Sequence, residues 1–191
     1  VKGRYGIGKT ELLARYASDN SCVYVRAKET WTKRALLDEL ADALGLDKRG
    51  RNQEVQQRII IKLGTTGVTV IVDEADFLIR TTPSLLEVLR DITDSTQITC
   101  FLIGMEQFPM RVARYGHIAS RVASIVEFQP LSLEDVTATV KAKAEIQIES
   151  EVLPEILRQS EGRMRFVLNA VSKIEDLAET NGWARVKVEH I

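Results

Sequence analysis

Gly3-Arg4-Tyr5-Gly6-Ile7-Gly8-Lys9-Thr10, followed by Glu11-Leu12-Leu13-Ala14-Arg15-Tyr16-Ala17, is the stretch on which the fold turns. Its opening residues meet the pattern G-x-x-x-x-G-K-[ST] at every fixed position. The residues that follow read as a helix, so the backbone N–H groups of a Gly-rich loop and a helix N-terminus face one ligand together, an arrangement suited to phosphate. On this reading Lys9 sits on the β- and γ-phosphates of a nucleoside triphosphate, and the Thr10 hydroxyl on a magnesium ion. Such a loop is fed by a buried strand, yet only Val1 and Lys2 precede Gly3. The expectation is a chain that starts inside its domain, with its first strand cut short. At the other end, Val186-Lys187-Val188-Glu189-His190-Ile191 reads as the approach to another helix that stops unfinished.

The 191 residues are 45% hydrophobic, enough for a real core. A net charge of -1 gives no global attraction to nucleic acid, so any such binding must come from a local basic patch. Cys22 and Cys100 both lie in apolar runs, where free cysteines behave as small hydrophobes, and this points to a reducing cytoplasm. No apolar run approaches the ~20 residues needed to cross a bilayer, and no leader pattern precedes the first motif. The chain reads as soluble and cytoplasmic, without a membrane partner. His117 and His190 offer no ligand spacing.

Working outward from the loop, Cys22-Val23-Tyr24-Val25 is a short apolar run with the character of a buried strand. Leu36, Leu37, Leu40 and Leu44 recur at helical spacing over 32–46, and a further helix is expected over 52–63. Val68-Thr69-Val70-Ile71-Val72 is almost wholly apolar, as a strand covered on both faces should be. A helix around Leu85–Leu89, a strand at 98–103 and a last strand at 124–128 complete the series. Strands alternating with helices predict an α/β fold, a P-loop parallel sheet flanked by helices. After Gln129 the strand signals stop, and three helices are expected at 133–146, 150–160 and 163–180, the first capped by Ser132 with Asp135. The predicted division is an α/β nucleotide-binding core over 1–129 and a small helical lid over 130–191.

The second motif is Val70-Ile71-Val72-Asp73-Glu74, an apolar strand ending in two acids. Beside a phosphate loop, such a strand brings Asp73 to the magnesium shell, and Glu74 can polarise a water for attack on the γ-phosphate. The pair favours hydrolysis over transfer to a bound acceptor. Asp76 is expected to cap the turn that follows.

Taken with Phe101-Leu102-Ile103-Gly104 and the helical tail, these motifs resemble an AAA+ ATPase, and within that superfamily the transposition regulators of the Mu B, TnsC and TniB type. The resemblance implies an ATPase that uses ATP and Mg2+, assembles into a ring or helical filament on DNA, and serves a transposase. It implies that Arg121 is an arginine finger reaching the neighbouring subunit's nucleotide, with Arg111 and Arg114 as alternatives. It implies that Arg165 is the sensor 2 arginine of the lid, with Arg163 as the fallback. At one point the chain departs from the family. Where a polar residue usually follows the fourth strand, Gly104 is followed by Met105, whose thioether accepts only weakly and donates nothing. Either Glu106 or Gln107 takes over, or hydrolysis is slow.

A basic patch is visible locally. Over 47–62, Lys48, Arg49, Arg51, Arg58 and Lys62 face only Asp47 and Glu54, and Arg26, Lys28, Lys33 and Arg34 lie nearby with Trp31. By resemblance this region holds the DNA backbone through phosphate-directed, sequence-indifferent contacts; otherwise it is a solvated charged face. Two further readings share the loop: a signalling or loading ATPase of the STAND or origin-recognition type, and a small-molecule kinase. The kinase is disfavoured by the acid pair and the helical tail.

Overall fold

The computed structural model describes residues 1–80 and 82–190. The apolar runs form the sheet: β1 (Val23–Arg26), β2 (Val70–Asp73) and β3 (Cys100–Leu102) lie parallel in that order. Tyr24 stands opposite Ile71, and Arg26 opposite Asp73. Every residue of β2 is buried, as its continuous apolar character requires. Lys2 adds parallel bridges to Gly104 and to Glu127. The residues entering the phosphate loop therefore lie between the extension of β3 and Glu127.

The strand expected at 124–128 is reduced to that single bridge, and residues 121–127 are exposed. The reason is pairing: Lys2 donates to the Val126 carbonyl at 2.8 Å, and a single bridging residue cannot hold a ladder. β3 falls within the run that predicted it, and β1 and β2 each extend one residue past theirs, to Arg26 and Asp73.

Helices cover both faces. α1 (Lys9–Asp19) places Leu13 and Ala17 against Ile71 and Ile103. α2 (Lys33–Ala43), α3 (Asn52–Thr66) and α4 (Ser84–Thr96) bury Leu36, Leu40, Ile59, Leu63, Leu86 and Ile92 with Val70 and Val72. Neighbouring residues of β2 thus serve opposite faces, the period of two that a strand imposes. Thr32 caps α2 by accepting the Ala35 N–H, and α3 ends at Gly67 with φ 65°, the left-handed geometry glycine adopts without strain. Trp31 belongs to this core, so it is no surface aromatic in the basic patch.

Two short helices, α5 (Phe108–Ala113) and α6 (Gly116–Ala119), were not foreseen; neither is long enough to show a period. Phe108 is packed onto Gly104, where an added Cβ would lie 2.5 Å from the ring. Gly104→Ala is expected to cost about 1–3 kcal/mol by overpacking, read as a lower denaturation midpoint; an unchanged midpoint would contradict this packing.

By contacts the chain divides into two compact units, one of Val1–Gly3 with Lys9–Glu127, the other of Arg4–Gly8 with the residues from Phe128 onward. In the second unit α7 (Leu133–Lys143), α8 (Leu153–Ser160) and α9 (Met164–Asn181) enclose Val136, Val140, Ile156, Val167, Val171 and Ile174. Ser132 and Asp135 form a reciprocal capping box at the start of α7. Only helices were expected here, yet β4 (Gln147–Ile148) pairs in parallel with β5 (Arg185–Val186). Over the terminal stretch read as the approach to a helix, Val186 ends β5 and a short 3-10 helix follows at Val188–His190, with His190 stacked 4.0 Å from Trp183. Ile191 lies outside the described residues. Strands of two residues are too short for alternation to reveal them. Among the described residues no helix is long and apolar enough to cross a membrane.

Candidate functional site

In the first unit the two motifs meet. Thr10, in the opening turn of α1, donates its hydroxyl to Asp73 Oδ2 at 2.8 Å. Tyr24 on β1 donates its phenol to the same oxygen at 2.8 Å, and the Glu74 N–H reaches Asp73 Oδ1 at 2.8 Å. Asp73 is 3% exposed, so its carboxylate is oriented by three neutral donors within the fold. Lys9 is also buried, and its ammonium donates to the Gly3 carbonyl at 2.6 Å. Burial holds the Lys9 pKa below its ordinary value, against the raising influence of Asp73, Glu74, Asp76 and Glu106. Lys9 therefore stands in a field of four carboxylates.

Glu74 follows the strand in left-handed backbone geometry at φ 54°. A non-glycine residue held there costs on the order of 1–3 kcal/mol. Arg26, at the end of β1, holds the Glu74 carboxylate at 3.1 Å. The pair occupies a carboxylate that would otherwise be open to an attacking water, although both groups are exposed enough for solvent to soften the attraction. Arg26→Ala is expected to raise DNA-free ATP hydrolysis about threefold, in line with the small energy of an exposed pair. Phosphate release measured without DNA checks this; a fall would contradict it.

Asp76 does not cap the turn at Ala75–Ile79, as expected from the sequence. Its oxygens instead accept the Met105 N–H at 2.7 Å and Arg111 Nη1 at 3.1 Å. Arg111 also donates to the Ile79 carbonyl, which commits this alternative finger to the interior of its own unit. The residue after Gly104 is thus fixed by its backbone, with the Met105 thioether exposed. Of the two proposed substitutes, Glu106 lies in the electrostatic field of Lys9, while Gln107 precedes α5 as its N-cap.

Arg121 follows α6 and is half exposed. It pairs with Asp94 at 3.2 Å and donates to the His117 carbonyl. Arg114 is the C-cap residue of α5.

The basic patch is more structured than its composition suggests. Arg34 donates to the carbonyls of Gly50 and Lys48, and Arg58 to those of Asp47 and Arg49. These two cations build the 47–51 loop and are not available to a ligand. Lys28 pairs with Glu39 and Lys48 with Asp42, each at 2.8 Å. Exposed pairs of this kind are worth little and are readily exchanged for phosphate. Lys33, Arg49 and Arg51 are exposed, without side-chain ion pairs among the described residues.

In the second unit, Arg4–Gly8 packs with the start of α9. The Arg165 N–H donates to the Gly6 carbonyl at 2.9 Å, and its side chain is exposed. Gly6 has φ 75°, and a Cβ there would touch Arg165 Cβ at 3.4 Å. Arg163 is otherwise engaged: its guanidinium lies 4.7 Å from the Tyr5 ring and 5.0 Å from that of Phe166, and it pairs with Glu161 at 2.5 Å. Of the two sensor candidates, Arg165 is the one whose side chain has no partner among the described residues. Ile7 is buried and Arg4 pairs with Glu161 at 3.6 Å.

The donor set suits magnesium. Among the described residues no group of three or more His, Cys, Asp or Glu is placed to hold a metal ion. Magnesium needs fewer, because it keeps waters and substrate phosphates and takes one or two protein ligands; Thr10 and Asp73 are the fitting pair. Cys22 and Cys100 are free, and burial pushes the Cys100 thiol up to about 12, so it is inert at neutral pH.

A model of the AAA domain family matches residues 1–112, more than half of the chain. The chain belongs to the AAA domain family. A potential ATP-binding protein of Staphylococcus aureus is 26% identical to this AAA domain over 129 residues, covering 63% of this chain and 46% of the relative. The ORC1 protein of Aeropyrum pernix, solved in complex with DNA, is similar over 99% of this chain and 56% of its own, with a TM-score of 0.66 and 21% identity. The ORC2 protein of the same organism, solved in its ADP form, is similar over 99% of this chain and 59% of its own, with a TM-score of 0.75 and 14% identity. The chain spans about half the length of these relatives. They bear out the expected fold, a P-loop parallel sheet flanked by helices.

Tyr24 and the partners of Asp76 escaped the sequence reading. Tyr24 carried one signal: a phenol inside an otherwise apolar run, two residues before Arg26 and so on the same face of the strand.

Proposed function

We propose that this AAA domain is an ATP-driven switch that assembles on DNA when ATP is bound and loosens when ATP is hydrolysed. The observation that carries the reading is the Thr10–Asp73 hydrogen bond, with Glu74 one residue on. It joins the phosphate-binding motif to the acid pair, which a merely Gly-rich turn has no reason to do. In this account the amides of Gly3, Arg4, Tyr5, Gly6, Ile7 and Gly8 cradle the phosphates, and Lys9 pairs with the β- and γ-phosphates. Thr10 and Asp73 hold magnesium, which when bound neutralises charge on the phosphates. Glu74 accepts a proton as water attacks the γ-phosphorus and the bond to the bridging oxygen breaks, leaving ADP and phosphate. Arg165 senses the γ-phosphate, and Arg121 of a neighbouring copy, released from Asp94, stabilises the charge that builds on it.

DNA binding is supported by the exposed Lys33, Arg49 and Arg51 with the exchangeable Arg26, Lys28 and Lys48, and by the ORC1 structure solved with DNA. The contacts are to phosphates and indifferent to sequence. The finer reading is a regulator of transposition of the Mu B, TnsC and TniB type, marking target DNA for a transposase. An origin-recognition or loading role is the second reading, favoured by the likeness to ORC1 and ORC2. Sedimentation of this chain with DNA in ATP and in ADP separates them. Assembly on DNA in ATP alone supports the switch and the transposition branch; a chain that stays monomeric with DNA in both nucleotides supports a role whose DNA contact lies elsewhere.

A further inference from the structure

β1 supplies a partner to each member of the acid pair, and the two partners differ in kind. Tyr24 and Arg26, two residues apart on one face of the strand, reach Asp73 and Glu74 respectively. Glu74 is held by a cation. Asp73 is held by hydroxyls: the two lone pairs of Oδ2 are taken by Thr10 and Tyr24, and Oδ1 accepts the Glu74 N–H. The Tyr24 ring packs with Leu13, Ile71 and Ile103 under α1. Phenylalanine would fill that space equally well, so packing does not explain the hydroxyl.

We infer that Tyr24 is a positioning residue for the magnesium site, an inference that rests on the nucleotide-site reading above. Its phenol fixes the orientation of the Asp73 carboxylate, and with it the Thr10 hydroxyl that shares Oδ2. Being neutral, it does so without cancelling the charge a cation needs. An arginine at this place would orient the carboxylate as well and compete with the metal for it. Groups that orient metal ligands in this way typically account for about 10- to 100-fold in metal affinity.

The test is a Mn2+ titration followed by electron paramagnetic resonance, on the protein loaded with an ATP analogue whose β–γ bridge resists hydrolysis. Tyr24→Phe is expected to weaken Mn2+ binding about tenfold, while affinity for the analogue in EDTA and the thermal midpoint stay within error of wild type. Tyr16→Phe, on the exposed side of α1, should leave Mn2+ affinity unchanged. Equal Mn2+ affinity in wild type and Tyr24→Phe overturns the inference while leaving the nucleotide site intact. A wild-type protein that binds no nucleotide overturns both. Should Tyr24→Phe not fold, uniform 3-fluorotyrosine labelling keeps the question open to NMR: the Tyr24 resonance should shift when Mg2+ joins the analogue-bound protein and that of Tyr115 should not. A stationary Tyr24 resonance overturns the inference.

Discussion

Glu74→Gln is expected to lower ATP hydrolysis by about 10²- to 10⁴-fold, the range lost with a general base, while ATP binding and ATP-dependent DNA binding persist. The amide is isosteric with the acid but cannot take the proton of the attacking water. Its oxygen can still accept from Arg26, so the local packing survives. The variant should therefore accumulate on DNA in ATP, trapped before release. Phosphate release and DNA-bound fraction, measured on one sample, check both halves. Hydrolysis within twofold of wild type would remove Glu74 from the reaction.

The second large effect is expected at Arg121. If its guanidinium completes a neighbour's site, Arg121→Ala should lose about 10³- to 10⁵-fold of the assembly-dependent rate, as measured for arginine fingers, without losing ATP affinity in the isolated chain. Mixing separates a finger from a structural arginine. In a mixture with Glu74→Gln, a site whose own subunit keeps Glu74 can receive Arg121 from the other variant, and part of the activity should return. Two inactive variants that stay inactive when mixed would mean that Arg121 does not act across subunits. Its present bond to Asp94 sets a control: Asp94→Ala frees the finger and should not lower the rate.

What could be read from the chain alone follows the physics of each feature. The phosphate loop and the strand ending in Asp73-Glu74 are legible because their chemistry fixes both residue type and spacing. The β-branched run at 70–72 is legible because burial on both faces leaves no polar position, and the run at 23–25 because Val23 and Val25 are buried on one face. The parallel order of the sheet follows from the helices between its strands. The strand at 124–128 was misjudged because composition speaks for propensity and is silent on pairing, and only Glu127 has a bridge. β4 and β5 fall below the length at which alternation exists. Asp76 was assigned to the nearest helix terminus, whereas its partners, Met105 and Arg111, are remote in sequence. Arg34 and Arg58 add to the charge of the basic patch, but their donors are spent on carbonyls of the 47–51 loop. Tyr24 was hidden for a related reason, since a phenol in a strand looks like core until its oxygen is located.

The Arg163 stack also shows how partners discriminate between equivalent residues. Arg163 and Arg165 are equally plausible sensors in sequence, two residues apart. The first is spent on Tyr5, Phe166 and Glu161, whereas the second has an exposed side chain without a partner among the described residues.

ATP, and not ADP, is expected to make this chain grip DNA. Fluorescence anisotropy of a labelled duplex of arbitrary sequence, titrated with protein in ATP, in ADP and without nucleotide at two salt concentrations, tests it most directly. Tight binding in ATP alone is expected, with affinity falling steeply from the lower salt to the higher because the proposed contacts are to phosphates, and with no preference between unrelated duplexes. Equal affinity in all three nucleotide states, or no binding in any, would contradict it.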